Sequence, residues 1–215
     1  RREWRAMSLL APSLKLDPWA IENPFSIKPD KKVTVQDLMT IKRDYYEGTD
    51  FDLTKGLAAG PFGNPNRYAT PATLGEWERA ISMFRCSYVT VMQARAWLPA
   101  PMSGVIWFGE DAPHSTCFVP FYAGATSVPA AFTVGSRAKL DRNSAWWAFN
   151  LVSNFADLKF SHMIKDIKAL ASKFEGEALA MQPVVESAAA ELYKVDPKLA
   201  MSFLENYTNS HAQKV

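Results

Sequence analysis

From residue 84 to the end the spacing of the apolar residues changes once, and that change sets the fold class. From 84 to 95 the even positions carry Phe84, Cys86, Tyr88, Met92 and Ala94, and the odd ones Arg85, Ser87, Gln93 and Arg95. A period of two is that of a strand with one apolar and one more polar face. Residues 104–109 and 116–122 predict two further strands. The stretch between them holds Asp111, Pro113, His114 and Ser115, which makes a β-hairpin of the pair. Pro120 puts the last strand at an edge or a bulge. From Asn143 onward Trp146, Trp147, Phe149, Leu151, Val152, Phe155, Leu158, Phe160, Met163, Ile164 and Ile167 are apolar on nearly every side, which predicts a long helix buried on several faces. Strands followed by helices, rather than alternating with them, predict an α+β fold of antiparallel strands with a helical C-terminal third.

The remaining segments fill in this outline. Residues 4–11 have mixed spacing and no cap, and read as a strand leading to Pro12. The next stretch, with Pro18, Asn23, Pro24 and Pro29, is a loop. Thr34-Val35-Gln36-Asp37 has the form of a capping box, and Val35, Leu38, Met39, Ile41 and Tyr45 follow at helical spacing, with Gly48 as the stop. Residues 48–67 hold four glycines and two prolines in twenty positions, too many for a regular element. An ordered loop of that length is usually functional. Gly176 and Pro183 punctuate the helical third, so a separate helix is expected from about 183 to 194. Asp196-Pro197 caps a last one through about Tyr207. The whole reads as one domain, with 1–142 its strand-rich part and 143–215 its helical part.

Composition excludes several classes. The 24 basic and 22 acidic residues are interleaved and leave a net charge of +2, so no nucleic-acid footprint is present. No apolar run reaches the roughly 20 residues of a membrane span, and no signal peptide opens the chain. Two cysteines, Cys86 and Cys117, make no disulfide framework, which favours an intracellular, cytoplasmic setting over a lysosomal one. The G-x-x-x-x-G-K-[ST], H-E-x-x-H and G-x-S-x-G patterns are all missing, and the histidines are scattered, so no metal or other cofactor is called for. Both cysteines sit in apolar strand patterns and read as core thiols. His114, in a turn, is open to two readings: a wall of a substrate pocket, or a residue that stabilises the turn or lies at the surface. Arg1, Arg2 and Arg5 around Trp4 are a solvated segment start or, alternatively, supply a guanidinium that holds a carboxylate.

Four ordered stretches carry a resemblance. They are Arg1-Arg2-Glu3-Trp4-Arg5-Ala6 with Leu10-Ala11-Pro12-Ser13, the loop Tyr46 to Arg67, Trp107-Phe108-Gly109 followed by Asp111-Ala112-Pro113-His114-Ser115-Thr116, and Phe149-Asn150-Leu151-Val152-Ser153-Asn154. Together they resemble the C69 peptidases, the family of bacterial broad-specificity dipeptidases and of the secernins, over about residues 1–170.

The resemblance implies part of an αββα N-terminal-nucleophile hydrolase. In such enzymes processing exposes an N-terminal Cys, whose α-amine serves as base and whose thiolate attacks a dipeptide carbonyl to form a thioester. No Cys lies near the start of this sequence, so the nucleophile is expected on a preceding N-terminal part. That part is the expected companion of this chain, the assembled protein is expected to oligomerise, and the chain alone is expected to be inactive. Arg2-Glu3-Trp4-Arg5 is similar to an Arg-x-x-Arg stretch of related amidases, which implies for Arg2 a role in supporting the thiolate and the substrate's polar groups. Asn64, Arg67 and His114 are the implied substrate-binding positions, although Asn64 and Arg67 equally serve to shape their loop. The alternative implied by the same resemblance is a secernin-like regulatory or interaction protein with this fold and no peptidase activity.

Overall fold

Helix α1 spans Arg2–Leu10 in the computed structural model, which describes residues 1–67 and 78–215; residues 68–77 of the expected strand-rich part lie outside the described residues. A helix here replaces the strand expected over 4–11. Its buried face is marked by Trp4 and Ala11, seven residues and two turns apart, too sparse a signal to set a period. Arg, Glu, Ala, Met and Leu are all good helix formers, and local propensity decides where burial speaks weakly. Pro12, in the 3-10 turn Pro12–Leu14, begins the exit.

Helix α2 spans Val35–Arg43, and its predicted capping box is present. The Asp37 amide donates to Thr34 Oγ1 at 3.1 Å, and the Thr34 amide donates to Asp37 Oδ2 at 2.9 Å. After α2 the chain enters the glycine-rich loop, whose only regular element is the 3-10 turn Leu57–Ala59. Gly63 is needed there twice over. Its φ is +59°, and a Cβ would stand 3.1 Å from the Thr54 carbonyl oxygen. These elements belong to the first of two compact units, Arg1–Phe84; the second is Arg85–Val215, and residue 143 lies inside it.

The second unit holds a three-stranded antiparallel sheet in the order β1 (Tyr88–Ala94), β2 (Gly104–Glu110), β3 (Val119–Tyr122). A short helical turn, α3 (Ala100–Ser103), joins the first pair, and β2 returns to β3 through the 3-10 turn Pro113–Ser115, as the hairpin pattern predicts. Pro120 lies in the edge strand β3, where a missing N–H does least harm. Register sets two faces. Val91 pairs with Trp107 and Val105 with Tyr122, and these four are buried. On the other face Tyr88 pairs with Glu110, Thr90 with Phe108, Met92 with Ile106, and Ile106 with Phe121.

The strand β1 is correct in the prediction and inverted in phase. Its inward positions are the odd ones, Val89 and Val91, with Arg95 just beyond; the even Tyr88 and Met92 are 60% and 72% exposed. Valines on one parity and an aromatic and a methionine on the other make a strand apolar on both faces, so alternation alone does not reveal which side the helices cover.

The helices are α4 (Ala145–Leu158), α5 (Phe160–Val195) and α6 (Pro197–Ala212). Gly176 and Pro183 do not interrupt α5, which runs unbroken for 36 residues. Pro183 forgoes one hydrogen bond of the ladder, and the packing of a long stripe outweighs it. That stripe is Ala171, Glu175, Ala178, Gln182, Val185, Glu186 and Ala189. Its two carboxylates have partners: Glu175 accepts the Phe118 amide at 2.7 Å, while Glu186 pairs with Arg95 and accepts the Tyr122 hydroxyl at 3.0 Å. Helix α6 is capped as expected by Asp196, which accepts the Lys198 amide at 2.9 Å, and Thr208 Oγ1 donates to the Pro120 carbonyl at 3.0 Å. The long helix expected from Asn143 past Ile167 is broken at Lys159 (φ −146°, ψ 57°), and its first part, α4, is not buried on several sides. It buries Ser153 and Ala156, while Leu151, Phe155 and Leu158, one stripe at helical spacing, remain at least half exposed.

Candidate functional site

In the first unit, α1 presents its arginines to different partners. Arg5 donates to both carboxylate oxygens of Asp44, at 2.7–2.9 Å, and to the Glu47 carbonyl at 2.8 Å. Both side chains of this bidentate pair are nearly buried, so each depends on the other for its charge. Asp44 also accepts the Tyr46 amide at 2.8 Å, which ties α1 to the first residue of the glycine-rich loop. Arg1 lies over the rings of Phe51 and Trp19, with 3.9 Å and 4.5 Å to the centroids, and its Nε donates to Glu78 at 2.9 Å.

Arg2, the expected thiolate-supporting residue, is exposed on α1. Its charge reaches the Tyr46 hydroxyl, which burial and Glu78 push up while Arg2 and Arg1 oppose them. The Tyr46 hydroxyl donates to the Arg79 carbonyl at 2.6 Å.

Asn64 and Arg67 are brought together in the loop. Arg67 donates to the carbonyls of Asn64 at 2.8 Å and Leu53 at 2.7 Å, and Asn64 Oδ1 accepts the Asn66 amide at 2.8 Å. Burial lowers the Arg67 pKa, and the three carbonyls it reaches, that of Asn66 included at 3.2 Å, compensate its charge. The earlier part of the loop is closed by Asp52, which accepts the Gly48 and Thr54 amides and the Thr54 hydroxyl.

His114 lies in the second unit, inside the turn Pro113–Ser115, 2% exposed and edge-on to Phe160 with centroids 5.6 Å apart. Burial, then the nearby Lys168 charge, lowers it to about 4, so the imidazole is neutral at physiological pH. Of the two thiols, Cys117 is buried and Cys86 half-buried, and neither is in a disulfide.

A residue that no motif marked lies at the end of β2. Glu110 is on the sheet face opposite α5, paired in register with Tyr88. It is 8% exposed, and burial, then the neighbouring Asp111 charge, raises it to about 7. Its carboxylate has no hydrogen bond or ion pair among the described residues. Asp111, at φ +60°, is held by contrast: it accepts the Asn150 amide at 3.0 Å, and its own amide donates to the Ser87 carbonyl at 3.0 Å.

Glu110 lines a cleft of about 300 Å³ with Tyr88, Phe108, Phe132, Arg137 and Trp146 among its walls. The Tyr88 ring stacks on Phe108 at 5.8 Å, and Phe132 meets Phe108 edge-on at 6.3 Å. One wall is fixed by Gly135, at φ +116°, where a Cβ would fall 2.5 Å from Ser144 Oγ. The only cue in the sequence is an acid at a strand position whose same-face neighbours are Phe108 and Ile106.

The second unit thus carries an apolar, open sheet face that ends in a buried acid, and the first carries a glycine-rich loop closed by its own hydrogen bonds. Residues 1–173 match peptidase family C69, so the chain belongs to that family. It is 21% identical over 212 residues to a probable dipeptidase A of Streptococcus pyogenes, covering 99% of this chain and 42% of that protein. It is 26% identical over 145 residues to a probable dipeptidase of Latilactobacillus sakei, covering 67% of this chain and 28% of that protein. With the dipeptidase A of Lactobacillus helveticus it shares 23% identity over 159 residues, 74% of this chain and 31% of that protein. The chain thus spans less than half the length of the curated relatives it matches.

Proposed function

We propose that residues 1–215 are the C-terminal part of a cysteine-type N-terminal-nucleophile dipeptidase whose nucleophile lies outside this chain. The observation that carries the reading is the family match over residues 1–173 together with relatives named as dipeptidases. The placement of the two thiols agrees with it. Cys117 is enclosed and Cys86 stands before a mid-chain strand, so neither has an α-amine beside it to act as base. The thiolate of the external Cys adds to the scissile carbonyl carbon, and the oxyanion collapses with cleavage of the C–N bond. The departing amine takes a proton from the α-ammonium. Water then cleaves the thioester, freeing the first amino acid and returning a proton to sulfur.

On this reading the external part supplies the second sheet of an αββα sandwich and covers the part of the open face that exposes Met92 and Ile106, leaving the Tyr88 end to the substrate. Arg2, free on the exposed side of α1, supports the thiolate and the substrate's polar groups. Asn64, Arg67 and His114 are the substrate-binding positions, the first two through the shape of their own loop and His114 through its own turn. The assembled protein is a homo-oligomer.

The test is dipeptide hydrolysis by the whole protein, followed as release of free amino acids. Turnover that is lost when the external Cys is changed to Ser supports the reading. A whole protein that folds and hydrolyses no dipeptide overturns it in favour of a secernin-like interaction role. Hydrolysis by residues 1–215 alone overturns the external nucleophile. Turnover unaltered by Arg2→Ala removes Arg2 from the site.

A further inference from the structure

The feature this reading leaves unused is the aromatic-walled cleft at the end of β2, with a carboxylate in its depth and a cation at its edge. A carboxylate removed from water without a partner is costly, and native proteins retain one mainly where a ligand supplies the counter-charge. Glu110 approaches that state: it is 8% exposed, open only to the cleft, and unbonded among the described residues. A second polar group in the same wall is also unmatched, since the indole N–H of Trp146 meets no acceptor among the described residues. The third observation is charge order. Arg137, exposed and without an ion pair among the described residues, lines the same cleft as the buried Glu110.

We propose that this cleft binds the free amino end of a short peptide, with Glu110 as counter-ion of the α-ammonium group and Arg137 as partner of the peptide carboxylate. The inference rests on the dipeptidase reading and names the residues that would recognise the substrate's two ends. The aromatic walls, Tyr88, Phe108, Phe132 and Trp146, suit an apolar or aromatic first side chain, and offer ring faces to the ammonium group. The titratable or charged groups facing Glu110 are Asp111 on its own strand, Tyr88 on β1 and Arg137 in the following loop. Because Asp111 and burial hold Glu110 near neutrality at about 7, an arriving ammonium group restores its charge and expels a proton. A peptide blocked at its amino end has nothing to offer this carboxylate and leaves it buried and unpaired, so discrimination is strong.

The experiment compares wild-type whole protein with Glu110→Gln, which keeps size and shape. With Leu-Gly as substrate, KM is expected to rise about tenfold or more, while kcat changes less than about threefold. Leucinamide, an amine without the carboxylate, should inhibit wild type competitively and Glu110→Gln at least about tenfold less well. Arg137→Gln, at an exposed position that does not endanger folding, should raise KM for Leu-Gly and leave inhibition by leucinamide unchanged. Glu110→Asp should recover part of the lost affinity, which a merely structural role does not require.

An unchanged KM in a Glu110→Gln enzyme that still turns over overturns the proposal and leaves the dipeptidase reading intact. So does an unchanged KM accompanied by a lower melting temperature of the assembled protein, which assigns Glu110 to a salt bridge with a basic side chain of the external part. If Glu110→Gln fails to fold, an unchanged KM in Arg137→Gln decides against the cleft. A wild-type protein without dipeptide turnover is the separate result that removes the parent reading.

Discussion

The two faces of the three-stranded sheet are equally apolar in composition and opposite in state. On the helix side, Val89, Val91, Val105, Trp107 and Tyr122 are buried, and the charged groups that share that space are paired: Arg95 with Glu186 and the Met102 carbonyl, and Glu186 with the Tyr122 hydroxyl as well. On the other side, Tyr88, Met92 and Ile106 are exposed, and the acid at its end, Glu110, lacks a partner among the described residues. The difference separates what holds this chain together from what it is equipped to meet. A face whose charged groups are paired internally is structural; one with exposed rings and an unanswered carboxylate is addressed to something else.

Breaking the covered face should have the largest effect. Glu186→Ala leaves the buried Arg95 without its counter-charge and the Tyr122 hydroxyl without its acceptor. Denaturant unfolding should show a loss of about 3–5 kcal/mol. A loss near zero would mean that the helix side is as loosely held as the open one, and the contrast would dissolve. Gly109→Ala probes the same face by crowding. The added methyl would stand 2.6 Å from Thr116 Cγ2 and 3.2 Å from Val89 Cγ1, both of them side chains fixed in the interior. The expected cost is about 1–3 kcal/mol, read as a lower midpoint with an unchanged slope.

Glu110→Gln should act in the opposite direction. The folded protein holds this carboxyl near 7 against an ordinary value of 4.5. Below pH 4.5 it is protonated in both states and contributes no difference. Between 4.5 and 7 the unfolded chain gives up its proton and the folded one keeps it, so stability falls as pH rises, and the full deficit is present above 7. Glutamine removes that slope. The variant should be more stable than wild type at pH 8 by about 1–3 kcal/mol and equal to it near pH 4. His114, lowered to about 4, has the reverse dependence, losing stability as pH falls from 6.5 through 4. It is common to both proteins and cancels in the difference. Equal pH profiles for wild type and variant would show that Glu110 is paired or hydrated in solution.

What was legible in the sequence was what short-range chemistry decides. Thr34 and Asp37 announce their reciprocal cap, Asp196-Pro197 a helix start, Pro120 an edge, and the hairpin between β2 and β3 follows from its turn residues. The ordered stretches carry the family as well. What was not legible depends on partners distant in sequence. The phase of β1 could not be read because Val89 and Val91 point one way and Tyr88 and Met92 the other. Helix α1 was hidden because Trp4 and Ala11 alone mark its buried side. Helix α5 passes Pro183 only because a stripe from Ala171 to Ala189 packs along it. Arg2 and Arg5 look interchangeable in an Arg-x-x-Arg stretch, yet Arg5 is taken up by Asp44, 39 residues away, and Arg2 is left exposed. Glu110 had no motif because its character comes from register opposite Tyr88 and from residues 132–137, which line the cleft with it.

The smallest effect is expected on the open face, and there the context of measurement decides its size. Met92 is 72% exposed in this chain, so Met92→Ser removes little burial, and residues 1–215 alone should change by less than about 0.5 kcal/mol. Met92 pairs with Ile106, 41% exposed, at the centre of the face where Tyr88 and Phe108 also lie. If the external part of the protein lays a second sheet there, the same substitution puts a hydroxyl into a closed apolar layer and takes away the thioether's packing. The assembled protein should then lose about 2–4 kcal/mol, through the lost burial and the cavity left behind. Measuring one substitution in the two contexts isolates the covering from every other property of the strand. A small effect in both would leave the face open in the assembled protein as well, and the sheet would be a wall of the cleft rather than half of a sandwich.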